Sequence, residues 1–172
     1  MNRLFHPPDF ITVPDGTRLT QIIDTSRLVK GGGTSIAKGV LPPGTRSAIH
    51  LLPIVDQIAY LVAGELVTVM QETPASPRYE IELRAGEASF CAGGTALQLV
   101  NRSSAVAEVL YIVTPSFAYV MKSGALIYDD AMVLAKDWDE VGFGEAFAKA
   151  ASKEARADAA ERRQAALETA PG

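Results

Sequence analysis

LPPGTRSAIHLLPIVDQIAYLVAGEL, residues Leu41 to Leu66, sets the pattern that the rest of the chain follows. Pro42-Pro43-Gly44 makes a turn, because proline pre-sets the bend and Gly44 is free to take a positive φ. Arg46 to Leu52 then alternates as a strand, which puts His50 on one face with Arg46, Ala48 and Leu52. Gln57 to Val62 and Glu65 to Gln71 read as two more strands joined across Ala63-Gly64, a tight hairpin signal. GEASFCAGGTALQLVN, Gly86 to Asn101, repeats the strand-turn-strand build.

Working outward, short strands recur on both sides. Thr34 to Val40, Tyr79 to Arg84, Ala88 to Cys91, Ala96 to Val100 and Ala107 to Val113 are separated by Pro, Gly or Asn-Arg-Ser-Ser turns. Regular short strands with turn chemistry between them indicate an all-β barrel or sandwich, and no helical period appears before residue 140 to supply crossover helices. Residues 1 to 18 are rich in Pro, Asp and Gly and read as an extended arm with one short strand, Phe10 to Val13. Leu19 to Val29 fits strand or helix equally. Residues 142 to 170 have the composition of a solvated helix, with i,i+4 pairs such as Asp158 and Arg162 and few large apolar residues beyond Phe147 and Leu167. The expected organisation is therefore an N-terminal arm over residues 1–30 that contributes to the barrel or to a dimer, a barrel over 31–127, and a C-terminal segment over 128–172. A surface helix, frayed at its end, would occupy that last segment.

With 172 residues and 48% apolar content the chain is one domain's length and can bury a core unaided. A net charge of −4 with scattered Lys and Arg excludes a nucleic-acid surface. No stretch has the ~20 apolar residues of a membrane span, and MNRLFHPPDF lacks the apolar run of a signal peptide, so a cytoplasmic protein is expected. The single cysteine, Cys91, rules out an internal disulfide and a thiolate metal cluster. It reads as a small buried hydrophobe near the pocket wall.

These spacings resemble the cupin superfamily. In the first cupin motif five residues separate a glycine from a histidine, and six residues separate an acid from the closing glycine. Gly44 and His50 match the first interval, Gln57 and Gly64 the second. Gly86, Gly94 and Asn101 match the second motif. The resemblance covers roughly Ser35 to Pro115 and implies an antiparallel β-barrel, a two-sheet jelly roll with its site between the sheets. Cupins that bind a metal use two histidines and an acid of the first motif and a histidine of the second. Those four positions here hold His50, Leu52, Gln57 and Leu97. Leucine donates nothing, and a divalent ion needs three or more protein ligands. A cupin without metal or other cofactor is expected.

Without a metal, proton transfer is the chemistry left to the pocket, with His50 as general acid/base. Gln57, in the acid's slot, would hold a substrate oxygen or orient the imidazole. Tyr111 would supply a phenol, although the inward face of its strand is open: Glu108, Leu110 and Ile112 compete with Val109, Tyr111 and Val113. Arg46 and Lys38 are candidates to grip an anionic group, and Glu108 is a candidate pocket carboxylate. Leu52, Leu61, Leu97 and Leu99 would make an apolar wall with Cys91, which suits a fairly apolar small molecule. The leading expectation is a lyase, dehydratase, isomerase or cyclase. The alternatives are a non-catalytic binding module and a metal-dependent cupin recruiting His6 and Glu108. A homodimer pairing through edge strands is expected from the resemblance and the N-terminal arm.

Overall fold

The computed structural model describes residues 4, 7, 9–25, 33–117, 119–122, 125–128 and 131–169, with side chains left out for 119–128 and beyond 165. In chain order the strands are β1 (Ile11–Thr12), β2 (Arg18–Asp24), β3 (Ser35–Leu41), β4 (Ile49–Leu51), β5 (Asp56–Ala63), β6 (Glu65–Gln71) and β7 (Tyr79–Arg84). They continue with β8 (Ala88–Cys91), β9 (Ala96–Val100), β10 (Ala107–Thr114), β11 (Tyr119–Lys122), β12 (Ala125–Tyr128) and β13 (Met132–Ala135). Helices α1 (Phe143–Ala150) and α2 (Lys153–Thr169) follow. No helix among the described residues is long and apolar enough to cross a membrane.

Two antiparallel sheets carry the fold. The larger is ordered β1-β2-β3-β10-β5-β8 and the smaller β13-β4-β9-β6-β7, while β11 and β12 form a separate hairpin. Alternation decides which face of each strand turns inward: β3, β5 and β10 bury every second residue. Ala37, Ala59, Leu61, Val109 and Val113 of the larger sheet therefore meet Leu66, Met70, Leu97 and Leu99 of the smaller, with Leu52 just after β4, in one core. Gly64 closes the β5–β6 hairpin at φ 84°, and a side chain there would meet the Val106 carbonyl oxygen at 2.5 Å. Only glycine fits that turn.

The far face of the smaller sheet has its own apolar cover. Ile49, Leu51, Ala96 and Ala135 pack against Phe147 and Ala150 of α1. Phe143 lies edge-on to Trp138, ring centroids 5.2 Å apart. Trp138 Nε1 donates to Gln98 Oε1 at 2.8 Å, and Gln98 Nε2 donates to the carbonyls of Ser47 and Lys136. The segment read as a surface helix is thus two helices. The first is a structural layer, because Phe147, nearly alone in composition, is fully buried. β13 also lies beyond the expected barrel boundary at 127 yet pairs with β4. The α2 helix is held by its arginines: Arg156 donates to the carbonyls of Pro53 and Gly93, and Arg163 to that of Ser116.

At the other end, the ambiguous stretch from Leu19 is a strand to Asp24, paired with both β1 and β3. Within the expected arm, β1 and β2 are therefore part of the larger sheet.

Candidate active site

A cavity of about 30 Å³ lies between the sheets, enough for a few waters or the end of a small organic molecule. Its apolar walls include Val13, Leu19, Leu52, Leu99 and Phe117, and its polar groups are Asp15, Thr17, His50, Gln57 and Tyr111.

His50 enters from β4 and is 5% exposed. Its Nδ1 lies 3.0 Å from the Ala48 carbonyl oxygen and 3.4 Å from Asp15 Oδ2. Both are acceptors, so Nδ1 carries a proton and an unprotonated Nε2 would keep its lone pair, with no hydrogen-bond partner for Nε2 among the described residues. Asp15 is itself fixed by the β1–β2 turn. One carboxylate oxygen accepts from the Thr17 amide at 3.0 Å and the other from the Thr17 hydroxyl at 2.9 Å. The Ala48 amide donates to the Asp15 carbonyl at 2.7 Å, so the backbone bearing the aspartate is tied to that bearing the histidine.

Tyr111 and Gln57 come from the opposite sheet. Val113 pairs with Gln57 and Tyr111 with Ala59, so Gln57 and Tyr111 are diagonal neighbours on adjacent inward-facing strands. The Tyr111 ring lies over Gly39, where an added Cβ would sit 2.4 Å from Cε2. Its hydroxyl is buried without a partner. Burial first, then the Asp15 charge, holds the phenol protonated well above its ordinary range. Gln57 is 6% exposed, and its amide likewise has no hydrogen-bond partner among the described residues.

The structure gathers His50, Gln57, Tyr111, Leu52 and Leu99 around this cavity and leaves the other candidates outside it. Lys38 and Glu108 point to the outer face of the larger sheet and pair at 2.8 Å, because the inward parity of β10 is that of Tyr111. Arg46 is exposed and pairs with Asp137 at 2.6 Å; alternation from His50 fails there because Ser47 and Ala48 leave the strand. Leu61 and Leu97 belong to the packed core. Cys91 lines a separate surface groove with Glu72, Tyr79 and Phe90, and burial pushes its thiol up to about 12, so it is no nucleophile at neutral pH. His6 lies outside the described residues. Asp15 is the residue that sequence reasoning missed. The signal was the Pro14-Asp15-Gly16 turn, whose aspartate side chain caps its own loop.

No family model matches the sequence, and no curated protein matches it. Solved structures do match in shape. Oxalate oxidase in complex with glycolate superposes at TM-score 0.52 with 20% identity, covering 60% of this chain and 53% of that one. The CENP-C cupin domain of Drosophila melanogaster gives 0.51 with 15% identity, covering 61% and 69%. KdgF from Halomonas sp. gives 0.53 with 17% identity, covering 67% and 94%. The chain has the cupin fold. It spans about half the length of the oxalate oxidase chain.

Many cupins hold a metal at the slots occupied here by His50, Leu52, Gln57 and Leu97, and the donor set does not fit one. Two of the four side chains carry no donor atom. Asp15 spends its oxygens on Thr17 and the imidazole. No group of three or more His, Cys, Asp or Glu with metal-holding geometry occurs among the described residues. Glu108, the acid considered for an alternative set, faces away from the cavity.

Proposed function

We propose that this cupin is a metal-independent acid–base enzyme of the lyase or isomerase kind, with His50 Nε2 as the proton carrier. The observation that carries this reading is the buried Asp15–His50 pair, which fixes the imidazole tautomer against an otherwise apolar cavity. In the proposed step Nε2 takes a proton from a carbon next to a carbonyl. The C–H pair becomes the C=C of an enolate and the carbonyl π pair moves to oxygen. The imidazolium then returns the proton to carbon, giving isomerisation, or delivers it to a departing oxygen as the C–O bond breaks, giving elimination. The partly shielded Asp15 carboxylate stabilises the imidazolium in the interval. A panel of small ketones and aldehydes incubated in D2O, with deuterium uptake read by NMR, tests this. Exchange that His50→Ala abolishes is the expected result, and no exchange above the His50→Ala background would sink it.

The small volume of the cavity favours a second reading, a non-catalytic binding module. That reading predicts no turnover of any panel member and only a modest loss of affinity in His50→Ala.

We also propose that two copies pair face to face through the larger sheet rather than through edge strands. Ile58, Tyr60, Val62 and Phe90 are exposed on its outer face beside half-buried Ile36, Leu110 and Ile112. Five strands at ~4.8 Å and about six residues at ~3.3 Å span roughly 500 Å² before side-chain relief, approaching the ~800 Å² per partner of a stable interface. Lys38 and Glu108 lie on the same face with opposite charges, so a two-fold axis can exchange their pairing without repulsion.

A further inference from the structure

Among the described residues two buried side-chain polar atoms lack a hydrogen-bond partner, Gln21 Nε2 and Tyr111 Oη, and Tyr111 lines the cavity. A buried donor left unpaired is costly, so the site that holds one is arranged for an acceptor the protein itself does not provide. The hydroxyl stays protonated far above neutral pH, which keeps it a donor. Gln57, diagonal to it on β5, brings a free amide to the same cavity. An acceptor with two lone pairs answers both groups. Among the described residues no lysine or arginine lines the cavity, while the Asp15 carboxylate does. An anion placed there would meet a like charge in a poorly solvated space.

We infer that the cavity takes the carbonyl end of an uncharged compound, its oxygen accepting hydrogen bonds from Tyr111 Oη and Gln57 Nε2. The inference shares with the acid–base reading the place of the site, but it does not need turnover. It also gives that reading its geometry: the oxygen that gains charge in an enolate is the one held by Tyr111 and Gln57, with His50 and Asp15 coming from the facing sheet and the β1–β2 turn. Leu52 and Leu99 then pack on the hydrocarbon next to the carbonyl.

Acetone and acetate are matched in size and differ in charge, and both are small enough for this space. Protein-observed NMR on the methyl groups of Val13, Leu52 and Leu99 reads their binding. Acetone is expected to shift these signals saturably and acetate to leave them unmoved. Tyr111→Phe is expected to weaken acetone about three- to tenfold, the worth of one neutral hydrogen bond. Its melting temperature should equal or exceed the wild-type value, because the substitution removes an unpartnered group. Acetate binding as tightly as acetone would overturn the inference, as would acetone affinity unchanged in Tyr111→Phe. A lower melting temperature would mean the hydroxyl already has a structural partner, and no acetone binding would mean the cavity holds only water. Either result refutes it. Deuterium uptake by acetone separates the two proposals. Tyr111-dependent binding without exchange refutes the catalytic reading alone, and His50-dependent exchange with Tyr111-independent binding refutes this one alone.

Discussion

The outer faces of the two sheets are built from similar residues and end in different surroundings. On the smaller sheet Ile49, Leu51 and Ala96 lie under α1, with Phe147 fully buried among them. On the larger sheet Ile58, Tyr60, Val62 and Phe90 face outward with no helix over them among the described residues, Phe90 at 58% exposure. A sheet buried on both faces belongs to an interior, and one that stays apolar on an open face is suited to a partner. The contrast teaches that, among the described residues, α1 is a third layer on the smaller sheet.

Phe147→Ala should break the covered side. Emptying its site is expected to cost about 3–5 kcal/mol by urea denaturation, the range for a buried phenylalanine. Tyr60→Glu with Phe90→Glu should act on the open side alone. Sedimentation is expected to shift from dimer to monomer, while the isolated chain keeps its stability within about 0.5 kcal/mol. A dimer that survives both charges would refute pairing through this face. Trp138→Phe keeps the ring contact with Phe143 but strands Gln98 Oε1, at an expected cost of about 1 kcal/mol.

The smallest structural change sharpens the comparison within one strand, since β8 turns Phe90 outward and Cys91 toward the core. With its thiol pushed up to about 12, Cys91 should react with iodoacetamide far more slowly at pH 8 than a free thiol does. Its folded pKa is raised, so the stability it contributes is complete below the ordinary thiol range. That contribution is lost as pH rises toward about 12.

The same contrast explains what the sequence disclosed. Strand alternation, the Gly44 and Gly64 turns and the motif spacing were enough for the barrel and for His50, Gln57 and Leu52. They left the inward face of β10 open, because a strand apolar on both sides carries no parity signal: Leu110 and Ile112 look as buried as Val109 and Val113. Glu108 was a candidate for that reason. Asp15 was illegible for another. Its turn could be seen, but what it touches is set by how β2 lies beside β3, far from His50 in the chain. Phe147 was discounted because composition averages over a helix, whereas one large side chain on the right face suffices to dock it.

Gly39 has a consequence for how such a chamber can change. The Tyr111 ring rests on bare backbone there, so one methyl on that residue would drive the phenol aside and move the one hydroxyl that the cavity leaves unpartnered, while Gly39 itself does not line it. Variation just behind the wall would then retune which guests are admitted, and a library aimed at new selectivity should begin under the aromatic ring.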